Sequence, residues 1–250
     1  MRALILSDIH GNLEALTAAL AAAGDFDALW NLGDVVGYGA SPNEVIDLVR
    51  PLAELTVRGN HDRVCCGLSS SLGFNPVARA AAQWTNRTLT PENIAWLRSL
   101  SQGPLLPDCP GVTCAHGSPL NEDQYILSMR DAWAPLQQMT TVLTFFGHTH
   151  LQGGFAQKDH DWQELKPQYP TRDQAASITL SMQPGSRYLI NPGSVGPPRD
   201  CDWRAAFAIF DSEAAEITYP RVPYDVAAAQ GRILLAGLPE RLAARLREGR

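Results

Sequence analysis

The sequence has few cysteines and no long apolar run, and both absences limit what the chain can be. Its five cysteines are an odd number among 250 residues and lack CxxC spacing, which excludes a disulfide scaffold and paired thiolate metal motifs. No apolar segment reaches the length of a transmembrane helix, and no signal-peptide core precedes the first polar cluster at Ser7. We therefore expect a cytoplasmic protein with free or buried thiols and no membrane partner.

Charge and low-complexity sequence are also scarce. Charged residues make up 18% of the chain and hydrophobic residues 45%, so the chain is expected to fold except at its ends. The net charge of -6 argues against a broad nucleic-acid-binding surface. A single catalytic domain spanning residues 1–250 is the simplest organisation at this length.

Short apolar runs and helical patterns alternate in the first 150 residues. Strands are predicted at 3–6, 28–32, 55–58, 112–115 and 142–146, and helices at 13–23, 42–50 and within 75–100. Ser41, Pro42 and Glu44 predict a capping box with proline at the first helical position, and Thr90-Pro91 predicts a second helix start.

The pattern changes to mainly β after Leu151. Strands are predicted at 153–156, 178–181, 188–190, 205–210 and 216–219. Residues 159–175 are predicted as a surface excursion, and a helical extension is predicted at about 223–250 with an interruption at Gly237.

Each of the first five predicted strands leads into a polar cluster. The clusters are Asp8-x-His10, Gly33-Asp34, Gly59-Asn60-His61-Asp62, His116-Gly117 and Gly147-His148-Thr149-His150. Alone, each is typical of an ordinary turn or a structural histidine. Residues two apart in an extended segment point the same way, and open α/β sheets bind ligands beyond the carboxyl ends of their strands. Together, the five clusters predict a metal centre.

The series D-x-H, GD, GNHD, HG and GHTH across residues 8–150 resembles that of the calcineurin-like metallophosphoesterases, in particular their small bacterial and archaeal phosphodiesterase-like branch. The resemblance implies a four-layer α/β/β/α sandwich of two mixed sheets flanked by helices. It also implies two divalent metals. Asp34 bridges them, and the remaining ligands are divided into Asp8, His10 and His150 for one metal and Asn60, His116 and His148 for the other.

The same resemblance implies the chemistry. His61 is the catalytic residue and not a ligand: it protonates the leaving oxygen or stabilises transition-state charge. The implied reaction is hydrolysis of a phosphodiester or phosphoanhydride in a small nucleotide-like substrate by metal-bound hydroxide. Mixed carboxylate and imidazole ligands suit manganese or iron, which we favour, and also zinc, cobalt or nickel.

The second motif departs from the GDxxDRG of serine/threonine protein phosphatases and symmetrical diadenosine tetraphosphate hydrolases. Gly37 replaces the carboxylate that would orient the catalytic histidine, and Tyr38 replaces a phosphate-gripping arginine. The enzymatic alternative is a phosphomonoesterase or a protein phosphatase. The departure at Gly37 and Tyr38 disfavours the protein phosphatase. The alternative from another class is a non-catalytic binding protein of the same fold. Such a protein would lack the catalytic histidine, whereas this chain has His61.

Four residues near the motifs have two interpretations each. Asp62 either orients His61 or caps a loop. Tyr38 and Tyr125 either stack on a base or pack within the protein. Arg199 either grips a substrate phosphate or forms an exposed ion pair. The segment 191–196 predicts a turn behind the metal centre.

Overall fold

Two mixed β-sheets and eight α-helices form the fold, seen in a computed structural model that describes residues 1–250. In chain order the elements are β1 (Arg2–Leu6), α1 (Leu13–Ala23), β2 (Ala28–Asn31), α2 (Pro42–Val49), β3 (Leu55–Thr56), α3 (Asn60–Cys65), α4 (Pro76–Thr88), α5 (Pro91–Ser99), β4 (Val112–Cys114), α6 (Met129–Gln138), β5 (Leu143–Phe145), β6 (Gly153–Lys158), β7 (Asp161–Leu165), β8 (Ala176–Ser181), β9 (Arg187–Asn191), β10 (Ala205–Ala206), β11 (Ala208–Asp211), β12 (Glu216–Val222), α7 (Val226–Leu235) and α8 (Glu240–Glu248).

The sheets combine parallel and antiparallel pairs. The first has the order β10-β12-β11-β1-β2-β3, with β8 also paired to β12; β1, β2 and β3 are parallel. The second has the order β4-β5-β9-β6-β7, in which β4, β5 and β9 are parallel. With helices outside both sheets, this is the four-layer sandwich predicted above.

Alternation along β1 shows how the layers are joined. Leu4 and Leu6 belong to the core between the first sheet and its helices, whereas Ala3 and Ile5 belong to the core between the two sheets. Successive side chains of a strand point to opposite faces, so an apolar run without polar interruptions fits a strand covered on both sides. On the outer side of the second sheet, Ala132 and Leu136 of α6 close a third, smaller core.

Helices α2 and α5 begin where the sequence predicts, but only one of them has the predicted capping hydrogen bond. Thr90 caps α5 as expected, because its Oγ1 accepts a hydrogen bond from the Asn93 amide at 3.2 Å. Ser41 precedes α2, but it makes no side-chain capping bond, and its buried hydroxyl has no partner. The capping box predicted there is therefore wrong, although Pro42 does begin the helix.

Three elements were not predicted from the sequence: β7, α6 and the short helix α3. The region 159–175 was expected to be a surface excursion, yet residues 161–165 form β7, an edge strand antiparallel to β6. Its sequence, DWQEL, is mostly exposed and so has no apolar run to reveal it. The helix α6 was not predicted at all, and it contains Pro135 in its interior.

Helices α7 and α8 follow the last strand of the first sheet. Their buried side chains, including Ile233 and Leu242, join the same core as Leu16 of α1. Neither these nor the other helices have the length and apolar character that crossing a membrane requires.

Candidate metal centre

The predicted ligands lie beyond the carboxyl ends of five parallel strands. Asp8 and His10 follow β1, Asp34 follows β2 and Asn60 follows β3 in the first sheet; His116 follows β4, and His148 and His150 follow β5 in the second. The loops after β1 and β2 are joined by backbone bonds such as His10 N to Asp34 O at 2.9 Å. Both sheets therefore deliver ligands to one place.

The backbone at the centre is unusually left-handed. Nine non-glycine residues have positive φ, and five of them are predicted ligands: Asp8, His10, Asp34, His148 and His150. This conformation is uncommon for residues with a side chain and costs about 1–3 kcal/mol where the surroundings impose it. The loops thus hold strain where they present metal-ligating atoms.

Side-chain atoms form a first cluster of Asp8, His10, Asp34 and His150, in which candidate donor atoms all lie within 4.8 Å of one another. His10 Nε2 is 3.3 Å from His150 Nε2 and 3.4 Å from Asp34 Oδ2. His150 Nε2 is 3.3 Å from Asp8 Oδ1. Every one of these residues is buried.

A second cluster contains Asp34, His116 and His148. His116 Nε2 lies 3.5 Å from Asp34 Oδ2 and 3.1 Å from Asn60 Oδ1. The same Asp34 oxygen therefore faces both clusters, as a bridging ligand would. The other Asp34 oxygen accepts a hydrogen bond from the His61 amide at 2.8 Å.

Backbone carbonyls orient three of the imidazoles. The Nδ1 atoms of His10, His116 and His150 donate to the carbonyl oxygens of Val36, Leu32 and Pro197 at 3.1, 2.8 and 2.7 Å. Because a carbonyl can only accept, each Nδ1 carries the proton and each Nε2 offers a lone pair towards the cluster. Metal-binding histidines are held in this way by an outer partner.

One unpaired buried oxygen atom, on Asp8, supports a divalent cation at this centre independently of the sequence motifs. Asp8 Oδ2 accepts from Ser7 Oγ at 2.7 Å and from the His148 amide at 3.0 Å, whereas Asp8 Oδ1 is buried without a partner. A buried polar atom left unpaired is costly. A cation among the Nε2 atoms would give that oxygen a partner.

Burial sets the protonation of the metal-free centre. It raises the pKa of Asp8 to about 7 and that of Asp34 well above its ordinary value. It lowers the pKa of His148 to about 3 and the pKa values of His10 and His150 well below their ordinary range. His10, His148 and His150 are thus neutral, the form that ligates metals, while protons compete for the carboxylates.

His61 lies beside the clusters with its ring packed among aromatic side chains. Its ring centre is 4.4 Å from that of Tyr38, 4.5 Å from that of Phe74 and 4.7 Å from that of His10. Its Nδ1 is buried and has no hydrogen-bond partner. Burial also lowers the pKa of His61 well below its ordinary value, so the ring is neutral.

The two interpretations of Asp62 are separated by its contacts. Its carboxylate accepts from the Gly59 amide at 3.0 Å and from the Val36 amide at 3.2 Å. These bonds cap α3 and fix the loop after β2. Asp62 therefore has the capping role and does not bond the His61 ring.

The contacts of Tyr38, Tyr125 and Arg199 also bear on their two interpretations. Tyr38 is 9% exposed and packs against His10 as well as His61, whereas Tyr125 is 42% exposed and stacks on the ring of His148 at 4.1 Å. Arg199 is mostly buried and lies near Tyr38, Tyr125 and Asp8. It forms no exposed ion pair, so that interpretation is wrong.

The segment 191–196 supports the centre from behind, as expected. Asn191 Nδ2 donates to the Gly147 carbonyl and to Thr149 Oγ1, both at 2.9 Å. Ser194 Oγ donates to the Asp8 carbonyl at 2.8 Å. These bonds tie the loops carrying Asp8 and His148 to the end of β9.

Two residues near the centre were missed by sequence reasoning. Phe74, which packs on His61, precedes α4, and Arg245, whose guanidinium carbon is 5.0 Å from the ring centre of Tyr38, lies in α8. Neither belongs to a motif, and only the tertiary fold brings them here. Arg245 and His10 line the same narrow cleft between α8 and the metal centre.

Comparison with known proteins agrees with this geometry. The sequence profile of the calcineurin-like phosphoesterase family matches residues 1–168. An uncharacterized protein of Methanocaldococcus jannaschii is 34% identical over 98% of this chain and 97% of its own length. The match continues well beyond the family profile, through the C-terminal helices.

Solved structures resemble the whole chain as well. A metallophosphoesterase from Sphaerobacter thermophilus is 41% identical, with a TM-score of 0.85 and coverage of 100% of this chain and 99% of that one. A hypothetical protein from Pyrococcus horikoshii has a TM-score of 0.79 at 23% identity, covering 100% and 98% of the two chains; this second likeness concerns the fold alone.

Proposed function

The chain belongs to the calcineurin-like phosphoesterase family, and we propose that it is a dinuclear metal-dependent hydrolase of a phosphodiester or phosphoanhydride in a small nucleotide-like substrate. The observation that carries the proposal is the sharing of Asp34 by two buried ligand clusters. One carboxylate facing two sets of imidazole nitrogens is what a pair of neighbouring cations requires.

In this proposal Asp8, His10 and His150 would hold one cation, Asn60, His116 and His148 would hold the other, and Asp34 would be shared by both. Manganese or iron is favoured by the mixed oxygen and nitrogen ligands. When bound, two such cations would neutralise phosphoryl oxygens and lower the pKa of water enough to supply hydroxide as the nucleophile. The carbonyls of Val36, Leu32 and Pro197 keep three imidazoles oriented for that task.

His61 acts on the leaving oxygen. A neutral imidazole carries one N–H, and its placement among aromatic rings keeps water away from that donor. A hydrogen bond directed at the leaving oxygen stabilises the negative charge that grows there as its bond to phosphorus breaks.

The proposal is tested with the purified protein loaded with manganese, iron, zinc, cobalt or nickel in turn. We expect hydrolysis of bis-p-nitrophenyl phosphate or of a dinucleoside polyphosphate with at least one of these metals. The absence of turnover with all five would refute the hydrolase proposal.

Substitution of His61 by alanine separates catalysis from metal binding. We expect two metals per chain by elemental analysis and a loss of about 100-fold or more in kcat, because positioned proton donors contribute that much. The control is His160→Ala, at the exposed turn after β6, which should match the native protein. Loss of metal from His61→Ala would instead identify His61 as a ligand.

A further inference from the structure

The cationic groups beside the metal centre exceed what one phosphoryl group needs. Six arginines form ion pairs with carboxylates: Arg58, Arg63, Arg204, Arg221, Arg232 and Arg241. Arg199 and Arg245 are mostly buried and pair with no aspartate or glutamate side chain. Two guanidiniums removed from water without such a partner indicate a site that expects an anion.

Tyr38 links these two arginines to the metal centre. The Arg245 guanidinium carbon lies 5.0 Å from the Tyr38 ring centre, and the same ring packs against His10 and His61. Arg199 is close enough to repel Arg245, and together with burial this repulsion lowers the pKa of Arg245. The Nε of Arg245 donates to the Arg250 backbone oxygen, which fixes the direction of the guanidinium.

The arginines differ in their attachment to the fold. Arg199 follows the segment that supports the centre, and its amide donates to the His150 carbonyl at 3.2 Å. Arg245 comes from α8, outside the residues that match the family profile. The C-terminal helices therefore contribute a charged group beside the metal centre and do not serve only as packing.

Charge indicates what the two arginines bind. Two divalent cations exceed the charge of the ligand carboxylates Asp8 and Asp34 by two, and Arg199 and Arg245 would add two more. A phosphodiester brings a single negative charge, whereas a phosphoanhydride brings further charges on the neighbouring phosphoryl group. Guanidinium groups bind phosphoryl oxygens through paired, charge-assisted hydrogen bonds.

We propose that Arg199 and Arg245 form a subsite for a second phosphoryl group, adjacent to the one at the metals, and so select phosphoanhydrides over simple diesters. This inference rests on the proposed function for the position of the first phosphoryl group. Arg245 is in this view a specificity-determining residue, and Tyr38 is the platform that holds its guanidinium.

The test measures binding by calorimetry to the manganese-loaded protein, with imidodiphosphate and inorganic phosphate as probes. We expect the native protein to bind imidodiphosphate at least about tenfold more tightly than phosphate, and Arg245→Gln to reduce this ratio by about tenfold, the value of one charge-assisted hydrogen-bonded contact. Arg241→Gln is the matched control, because Arg241 lies one turn earlier on α8 and pairs with Glu248 at 2.9 Å; its ratio should be unchanged.

A second variant covers the case in which Arg245→Gln disturbs α8. Arg199→Gln lies outside the helix and should reduce the ratio similarly. A native protein without preference for imidodiphosphate, or two folded variants that keep the native ratio, would overturn the inference. Neither binding result requires turnover. Hydrolysis of bis-p-nitrophenyl phosphate by a protein that does not prefer imidodiphosphate refutes the subsite alone. Preferential binding of imidodiphosphate without hydrolysis refutes the proposed function alone.

Discussion

At position 37 a glycine stands where related phosphatase motifs place a carboxylate, and the structure gives a steric reason. A Cβ at Gly37 would lie 2.6 Å from His61 Nδ1, and the residue has φ of +92°. No side chain fits there while His61 keeps its position. Orientation of His61 is therefore achieved by ring packing from Tyr38 and Phe74 instead of by a hydrogen bond to Nδ1.

Gly37→Ala tests this packing arrangement. We expect the free energy of unfolding in urea to fall by more than about 1 kcal/mol, since alanine is strained at positive φ, and kcat for bis-p-nitrophenyl phosphate to fall at least about tenfold as His61 is displaced. Gly231→Ala is the control. Open space surrounds its Cβ position within α7, so it should gain up to about 1 kcal/mol. A Gly37→Ala protein with native stability and rate would contradict the steric argument.

At the scale of elements, one side chain connects the two sheets behind the metal centre. Gln152 Nε2 lies 3.1, 2.9 and 3.1 Å from the carbonyl oxygens of Pro192, Phe207 and Pro220, which share its two N–H groups. Its Oε1 accepts from the Tyr169 hydroxyl at 2.6 Å and from Arg221 Nε at 2.9 Å. Segments from both sheets thus converge on a single amide.

Gln152→Leu should therefore destabilise the fold by about 2–4 kcal/mol, because several buried polar groups lose their partner at once. Urea denaturation of the metal-free protein measures this without interference from ligands. Gln157→Leu is a matched change in the neighbouring strand β6, where the side chain bonds Gln137 near the surface, and should cost less than about 1 kcal/mol. Equal losses in the two variants would mean that Gln152 has no special linking role.

The elements that sequence reasoning located are those with a local signal. Runs such as Ala3 to Leu6 are apolar because both faces of their sheet are covered, and each ligand cluster lies directly after such a run. The edge strand β7 lacks that signal because its residues meet water. Phe74, Gln152 and Arg245 act through contacts distant in sequence, which no spacing rule encodes.

At the scale of the whole molecule, the metal centre couples stability to pH. Burial raises the pKa of Asp8 to about 7, so its contribution to the stability of the metal-free fold is present below its unfolded pKa near 4 and is lost as pH rises through about 7. The ionised carboxylate, which burial disfavours in the metal-free fold, is the form that binds metal.

Manganese affinity should therefore weaken as pH falls below 7, by about tenfold per pH unit for each proton displaced. Competition with a fluorescent chelator at pH 6, 7 and 8 measures the dissociation constants. Asp8→Asn, which has no proton to displace, should bind more weakly but with a shallower pH dependence. A native affinity that is the same at all three pH values would contradict the assignment of Asp8 as a ligand.

The pairing of β1 also determines when the centre can form during synthesis. β1 lies between β2 and β11, and residues 208–211 of β11 emerge from the ribosome long after Asp8 and His10. The loop that carries these two ligands also accepts a hydrogen bond from Ser194 Oγ at the Asp8 carbonyl. A nascent chain thus holds its first ligands for most of translation without the neighbours that fix them. We therefore expect the metal centre to be complete only once β11 and Ser194 are in place beside the loop that carries Asp8 and His10.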